Sequence, residues 1–324
     1  KKLLNKIFNL IIKEIDLYNQ TEDYTKKMYN TFTLNLQEYI IKKKNDKSLQ
    51  YFNYEEDFID KFLEIYKTSD CIICNYTNRE CDRLNRTIKD KIVEENNIEL
   101  IDDKYYIGQQ LIFNKRCEQK FNTSEVVKIS KINKFEYELY QIGINDLYFI
   151  DEENISKNYN LDITQFIKKI QELPTICMKI NNIFKLFNKI HDICAYRMEV
   201  YNKYKKNVIH VLQADEVKLY DKFTDNIRKS IATFAKQVNL DSFTEDVIIN
   251  NLYQLLDKYR VSIFADVNDG YASTCHKIQG ISIHTIFVNL RDILNMYDND
   301  MKNKLKCIYT AFTRCSKSLI IFNL

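Results

Sequence analysis

Glycine and proline are nearly missing, with 4 and 1 in 324 residues. The glycines are Gly108, Gly143, Gly270 and Gly280, and none is followed by Lys-Ser or Lys-Thr. That excludes a G-x-x-x-x-G-K-[ST] phosphate loop, whose glycines let backbone amides close on a triphosphate. Tryptophan is absent. No apolar run approaches membrane-spanning length: the opening Lys1-Lys2-Leu3-Leu4 is soon interrupted by Lys6, Lys13, Glu14 and Asp16, so no membrane partner is expected. Charge of one sign is not in excess. The net charge is +3, so any basic groove must come from local arrangement. The 9 cysteines are odd in number and scattered, and no secretory leader is read. An intracellular, reducing compartment is therefore expected. Cys71 and Cys74 form C-x-x-C without a second pair, which reads as small apolar residues of a buried strand, and no metal site is expected.

What is present is ordinary globular material, 45% hydrophobic and 29% charged, enough for one to three domains. Leu4, Ile7, Phe8, Ile11, Ile15 and Tyr18 recur at helical spacing, predicting an amphipathic helix that faces a core. Residues 30–66 predict two further helices around the charged stretch Lys42 to Lys47. Asp70 to Asn75 predicts a strand, with Thr77 or Asn78 capping the helix after it. From about 98 to 159 short apolar runs alternate with polar breaks, predicting a small antiparallel β unit: Gln110-Leu111-Ile112-Phe113, Val126 to Ile129, Phe135 to Leu139 and Leu147 to Ile150. Leu147 to Glu152 ends in Phe-Ile-Asp-Glu, but without a phosphate loop upstream Asp151 and Glu152 read as a polar strand end. Residues 160–260 read as helical, with Ile180, Ile183, Phe184, Phe187, Ile190, Ile193 and Cys194 at helical spacing and further helices near Val217 to Phe234 and Val247 to Tyr259. Lys203, Lys205, Lys206, Arg228 and Lys229 read as a solvated helix face, with phosphate contact as the alternative. His191 and His210 receive no role. Val261 to Phe264 reads as a return to the sheet, and Asp269-Gly270 as a turn.

The last part of the chain organises the rest. Gly270-Tyr271-Ala272-Ser273-Thr274-Cys275-His276-Lys277-Ile278-Gln279-Gly280 is a polar loop. The apolar run Thr285 to Leu290 follows, then Tyr309-Thr310-Ala311-Phe312-Thr313-Arg314, then Leu319 to Phe322. Loop, strand, helical stretch and strand in that order predict a parallel α/β sheet with functional loops at strand ends.

These stretches carry a resemblance. The first is similar to motif V of superfamily 1 helicases (T-x-H-K-x-Q-G), and the second to their motif VI (Y-x-A-x-T-R). Cys74-Asn75-Tyr76-Thr77-Asn78-Arg79 resembles the opening of the same domain. The RecD/Dda type is the nearest match, and Tyr105 to Asn114 resembles the start of its inserted SH3-like barrel. The resemblance implies an α/β fold: a second RecA-like domain from residues 69–97 and 261–324, an SH3-like insertion at 98–159 and a helical insertion at 160–260. Residues 1–68 would be a helical linker from a first RecA-like domain, upstream of Lys1 or on another chain. That domain would hold Mg²⁺ and most of the ATP. Here Arg314 would reach the γ-phosphate, since a planar guanidinium binds phosphate oxygens at two points. Gln279 would touch the γ-phosphate or the attacking water, and Gly280 would permit a tight turn or close backbone approach. Thr274, His276, Lys277, Thr77 and Asn78 would meet the phosphates of single-stranded DNA, with RNA left open. Tyr271 and Tyr309 read as core. A replication protein is a candidate partner at the helical insertion. The implied activity is ATP-dependent 5′-to-3′ unwinding in DNA replication or repair, absent from this chain alone. The alternative is a non-catalytic nucleic-acid-binding or scaffold module. The resemblance is incomplete: motif VI reads Thr-Arg-Cys rather than Thr-Arg-Ala, and motifs I and II are missing.

Overall fold

The computed structural model describes residues 2–21, 26–42, 48–117, 121–148, 172–237, 242–295 and 301–322. In chain order the elements are α1 (Lys2–Gln20), α2 (Lys26–Lys42), β1 (Leu49–Phe52), α3 (Glu55–Tyr66), β2 (Cys71–Asn75), α4 (Asn78–Asn96), β3 (Gln110–Phe113), β4 (Val126–Glu138), α5 (Pro174–Phe187), β5 (Asp192–Tyr201), β6 (Lys206–Leu212), α6 (Ala214–Gln237), α7 (Ser242–Leu256), β7 (Val267–Asp269), β8 (Ala272–Thr274), β9 (Ile283–Asn289), α8 (Leu290–Leu294), α9 (Met301–Thr313) and β10 (Cys315–Phe322). The chain divides into two compact units. One comprises residues 1–114, 123–128 and 268–324, the other residues 115–122 and 129–267.

The first unit is built on a five-stranded sheet of order β1-β10-β9-β2-β8, parallel throughout. Its strands are apolar on both faces, as a parallel sheet covered on both sides requires. Successive side chains point to opposite faces, so each strand feeds two cores. Ile72, Cys74, Ile286, Val288, Leu319 and Ile321 pack with α1, α2, α8 and α9. Cys71, Ile73, Phe287, Ile320 and Phe322 pack with α3 and α4. Phe287 meets Phe58 and Phe62 edge-on, at centroid distances of 5.3 and 5.2 Å. Truncating so enclosed a ring costs about 3–5 kcal/mol. The α/β expectation is met, and α1 does bury Leu4, Ile7 and Ile11. Residues 1–68 are not wholly helical, however. The short run Leu49-Gln50-Tyr51-Phe52, too brief to stand out beside its charged neighbour, pairs in parallel with Leu319 to Phe322. This unit also contains an antiparallel piece in which β3 pairs with the first residues of β4.

The second unit holds the rest of β4 and the antiparallel β5–β6 hairpin, with a core drawn from α5, α6 and α7. Several expectations fail here. The helical periodicity read through Ile193 and Cys194 ends at Asn188, which caps α5. Beyond it Tyr196-Arg197-Met198-Glu199-Val200 alternates with period two, and Met198 and Val200 are buried while Arg197 is exposed. Residues 192–212 are therefore a hairpin, and Lys203 to Lys206 lie at its turn rather than on a helix. Val126 to Ile129 and Phe135 to Leu139 belong largely to one long strand rather than two. Ile144–Tyr148 is a 3₁₀ turn rather than the start of a strand; Asp151 and Glu152 lie outside the described residues. Val261 to Phe264 is not a strand either. Asp257–Val261 is a π-helical turn. At its centre the fully buried Arg260 donates to the carbonyls of Phe187 and Tyr140 at 2.9 and 2.8 Å. Burial lowers the guanidinium's pKa, and the carbonyl dipoles hold the charge in place of a carboxylate.

Candidate functional site

Strands β2, β8 and β9 run in one direction, so the chain must return from the carboxyl end of β8 to the amino end of β9. It does so through residues 275–282, a short run of helical turns in which Ile278 N donates to Thr274 O at 3.2 Å and Gln279 N to His276 O at 3.3 Å. Gly280 ends it with φ +88°, a left-handed conformation that glycine alone adopts freely. No other atom lies within 4 Å of a Cβ built there, so turn geometry and not close approach accounts for this glycine. The loop thus has two ends at opposite edges of the sheet.

At the carboxyl edge lie the end of β2, the start of α4 and the first half of the loop. Thr77 caps α4, accepting from Glu80 N at 3.2 Å. Asn78 is the first, exposed residue of that helix. Thr274 is buried, and its Oγ1 accepts from Lys277 N at 3.4 Å, so it caps the loop. His276 is exposed with its ring edge-on to Tyr76, 6.1 Å between centroids. Lys277 is half-buried and donates from Nζ to Asn114 Oδ1 at 2.8 Å, at the end of β3. Asn75 Oδ1 and Ser273 Oγ are buried there without a hydrogen-bond partner among the described residues. Tyr271 is fully buried and hydrogen-bonded to Tyr106, as a core residue should be. Burial raises its pKa well above the ordinary tyrosine value.

At the amino edge the second half of the loop runs beside the strand that Arg314 introduces. Gln279 and Gly280 are exposed. Ile283 N donates to Arg314 O at 3.0 Å, so the loop's exit and the Thr-Arg segment are joined through backbone. Arg314 Nη2 donates to Thr313 Oγ1 at 3.2 Å, while Nε is buried with no partner among the described residues. The sheet therefore places Thr77, Asn78, Thr274, His276 and Lys277 at one edge and Arg314 at the other, with Gln279 and Gly280 on the turns that connect them.

Four residues with no assigned role hold this arrangement. Asp292 accepts from the amides of Tyr76 and Thr77 at 2.7 and 2.9 Å and from Thr77 Oγ1 at 3.1 Å. These two amides, which open the loop before α4, are thereby committed to a carboxylate of the protein. Asn289 caps α8, accepting from Asp292 N at 3.2 Å, and donates to Glu80 at 3.1 Å. Asn-x-x-Asp at the end of an apolar run was the available signal, a variant of the capping box. Hydrogen bonding from Arg83 above all, and from Asn289, holds the Glu80 carboxyl below the usual glutamate range. Asn85 on α4 donates to Ala272 O at 3.0 Å and accepts from Ala272 N at 2.7 Å. Since β8 is an edge strand, this carboxamide takes the place of a sixth strand. Gly270 permits close backbone approach: a Cβ there would lie 2.8 Å from the Leu111 carbonyl carbon.

No family model matches the chain. Over 315 residues, 95% of its length, it is 26% identical to "Uncharacterized protein R530" of Acanthamoeba polyphaga mimivirus. Among solved structures, the Pif1 helicase of Candida albicans aligns over 84% of the chain at 11% identity and a TM-score of 0.32, a likeness too loose to assign a fold. The chain spans 55% of the first protein and 51% of the second, about half of each. Among the described residues no helix is long and apolar enough to cross a membrane.

Proposed function

We propose that this chain is the C-terminal motor portion of an ATP-dependent DNA helicase of superfamily 1, RecD/Dda type. The observation that carries the reading is the two-ended loop 275–282, which runs from a carboxyl-edge group of Thr, His and Lys through Gln279 and Gly280 to a backbone link with Arg314 at the amino edge. A motor needs such a connection, because nucleotide state must alter grip on the track. The Tyr76 and Thr77 amides and the Thr77 hydroxyl proton are spent on Asp292, so at this edge the exposed Asn78 side chain is the group of the pair that would meet a phosphate.

Arg314 suits a phosphate by its buried Nε, a donor with no acceptor among the described residues. In this reading Arg314 stabilises negative charge developing on a transferring phosphoryl group and makes hydrolysis depend on domain closure. Gln279 orients the group or the attacking water, and Gly280 keeps the loop narrow. When bound, ATP supplies the phosphoryl group and the free energy of closure. The phosphate cradle and the Mg²⁺ ligands do not fit this chain. No phosphate loop is in the sequence, and no group of three or more His, Cys, Asp or Glu able to hold a metal occurs among the described residues. A first RecA-like domain, upstream or on another chain, must contribute them. His276 and Lys277 hold a single strand by its phosphates, contacts that read no sequence. An SH3-like insertion within 98–159 belongs to the same reading. The missing phosphate loop favours a second one, a helicase-derived module that binds nucleic acid without turnover.

The deciding experiment measures single-stranded-DNA-stimulated ATP hydrolysis by the natural full-length product beside residues 1–324 alone. The motor reading expects activity only in the full-length product, abolished there by Arg314→Ala with DNA affinity largely kept. Unchanged turnover in Arg314→Ala refutes the role of Arg314. No turnover in either form, with DNA binding retained, replaces the motor by the binding module.

A further inference from the structure

The β5–β6 hairpin of the second unit ends in Tyr201-Asn202-Lys203-Tyr204-Lys205-Lys206, a turn without glycine. Asn202 makes it rigid. Its backbone N donates to Lys205 O at 3.0 Å, and its Oδ1 accepts from the amides of Tyr204 and Lys205 at 2.9 and 3.0 Å. The turn therefore has a fixed shape and holds Tyr204 out from the protein, 80% exposed, with Tyr201 41% exposed beside it. An aromatic ring held in water by an ordered turn serves no core.

Cations surround the rings. Lys203 Nζ lies 4.7 Å from the Tyr204 ring centroid, and Lys205 Nζ lies 4.4 Å from that of Phe121. Lys206 pairs with Glu199 at 2.8 Å. Strand alternation places Arg197, Glu199 and Tyr201 on one face, opposite His210, Val208 and Lys206. The Glu199 carboxyl is pushed below its ordinary range by Lys206 first, and also by Lys131 and Arg197. Lys131, Arg197 and Lys206 thus act on the Glu199 carboxylate, and Lys203 and Lys205 lie beside Lys206 in sequence at the turn, in a chain whose whole net charge is +3.

We propose that this hairpin tip is a binding surface for single-stranded nucleic acid, with Tyr204 as the stacking platform for a base and Lys203, Lys205 and Lys206 as partners for the flanking phosphates. A flat ring accepts any base, and lysines bind phosphate as point charges, so the surface is indifferent to sequence. A duplex keeps its base faces covered, which makes a single strand the better occupant. The surface lies in the other unit from loop 275–282 and does not depend on the role given to that loop.

The test is fluorescence anisotropy of labelled oligo-dT and oligo-rU, each about 20 nucleotides long, with the whole chain at about 50 mM salt and above. Tyr204→Ala is expected to weaken binding about tenfold, and Tyr204→Phe to restore it, since stacking is worth roughly 1–3 kcal/mol per base. Lys203→Gln with Lys206→Gln is expected to lower the slope of log affinity against log salt by about 1.4, roughly 0.7 per phosphate contact on a single strand. The substituted side chains lie at an exposed turn, and matching melting curves exclude misfolding. A preference between the two oligonucleotides identifies the sugar. Binding by Tyr204→Ala within about twofold of native overturns the proposal, as does absence of binding by the native chain at the lowest salt. A loss confined to acidic peptide probes also overturns it, making the tip a protein-docking surface. His276→Ala with Lys277→Gln serves as the separate control. A loss there with none at Tyr204 leaves the loop as the contact and refutes the hairpin, and the converse refutes the loop.

Discussion

Asn85→Leu replaces a buried carboxamide by an apolar group of similar size and leaves both backbone groups of Ala272 without partners. The carboxamide makes two hydrogen bonds, at 3.0 and 2.7 Å, and both residues are buried, Asn85 at 7% exposure and Ala272 at 2%. An unsatisfied buried donor or acceptor costs about 1–3 kcal/mol, so two cost roughly 2–6 kcal/mol. Burying the leucine returns about 1–2 kcal/mol. The net loss expected is about 2–4 kcal/mol, enough to consume a large part of a domain's stability. Urea unfolding followed by circular dichroism measures it, with slope and midpoint fitted separately, because two compact units do not guarantee one transition. Amide exchange gives the local readout: residues 272–275 should lose protection before the rest of the sheet does. Asn85→Asp keeps an acceptor for Ala272 N but sets a carboxylate against Ala272 O, and should cost at least as much as leucine. A loss below about 0.5 kcal/mol in Asn85→Leu, the size of an ordinary surface substitution, with unchanged exchange at 272–275, would refute the claim that this side chain holds β8.

Three further outcomes follow from the same contacts. Gly270→Ala sets a Cβ 2.8 Å from a backbone carbon that cannot swing aside, and should lower stability by about 1–3 kcal/mol in thermal or urea melts. Asp292→Ala strips the acceptor from the Tyr76 and Thr77 amides; these are partly buried and water can reach them, so the expected loss is about 1–3 kcal/mol, with faster exchange at those two amides as the specific sign. Because Glu80 titrates below its ordinary range in the folded chain, its contribution is complete above the usual carboxylate range and is lost as pH falls through the depressed value. Melting temperatures across that acid window should fall less steeply in Glu80→Gln, and solvent screening keeps the difference to about 0.5 kcal/mol.

Much of the first unit was legible because its signals are local. The Thr77 cap, the α1 repeat and the strands at 71–75, 285–289 and 319–322 are each contained in one short stretch. The two-ended loop was legible as a polar run before an apolar one. What escaped depends on partners far along the chain. Asn85 meets Ala272 across 187 residues and Thr77 meets Asp292 across 215, so neither role has a sequence period to betray it. The four residues of β1 carry too little pattern to identify a strand, and only their pairing with β10 makes them one. The β5–β6 hairpin was misread for the opposite reason. A strong helical repeat through Phe187 continued by coincidence into Ile190, Ile193 and Cys194, and the turn at 202–205 contains none of the glycine or proline that normally marks one.

The order β1-β10-β9-β2-β8 also imposes a sequence of events on synthesis. The strand of this sheet that comes latest in chain order, Cys315–Phe322, does not join at an edge; it enters between β1 and β9. Until those residues leave the ribosome, β1 has no neighbour, and the faces of α1 and α2 that bury Leu4, Ile7 and Leu36 have an incomplete surface to cover. Residues 129–267 are complete well before then and can condense first. The apolar side chains of α1, α2 and β1 must therefore wait, unburied, for β10. Stalled or truncated products lacking β10 should accordingly be captured by chaperones through α1 and α2, while the inserted unit within them is already folded.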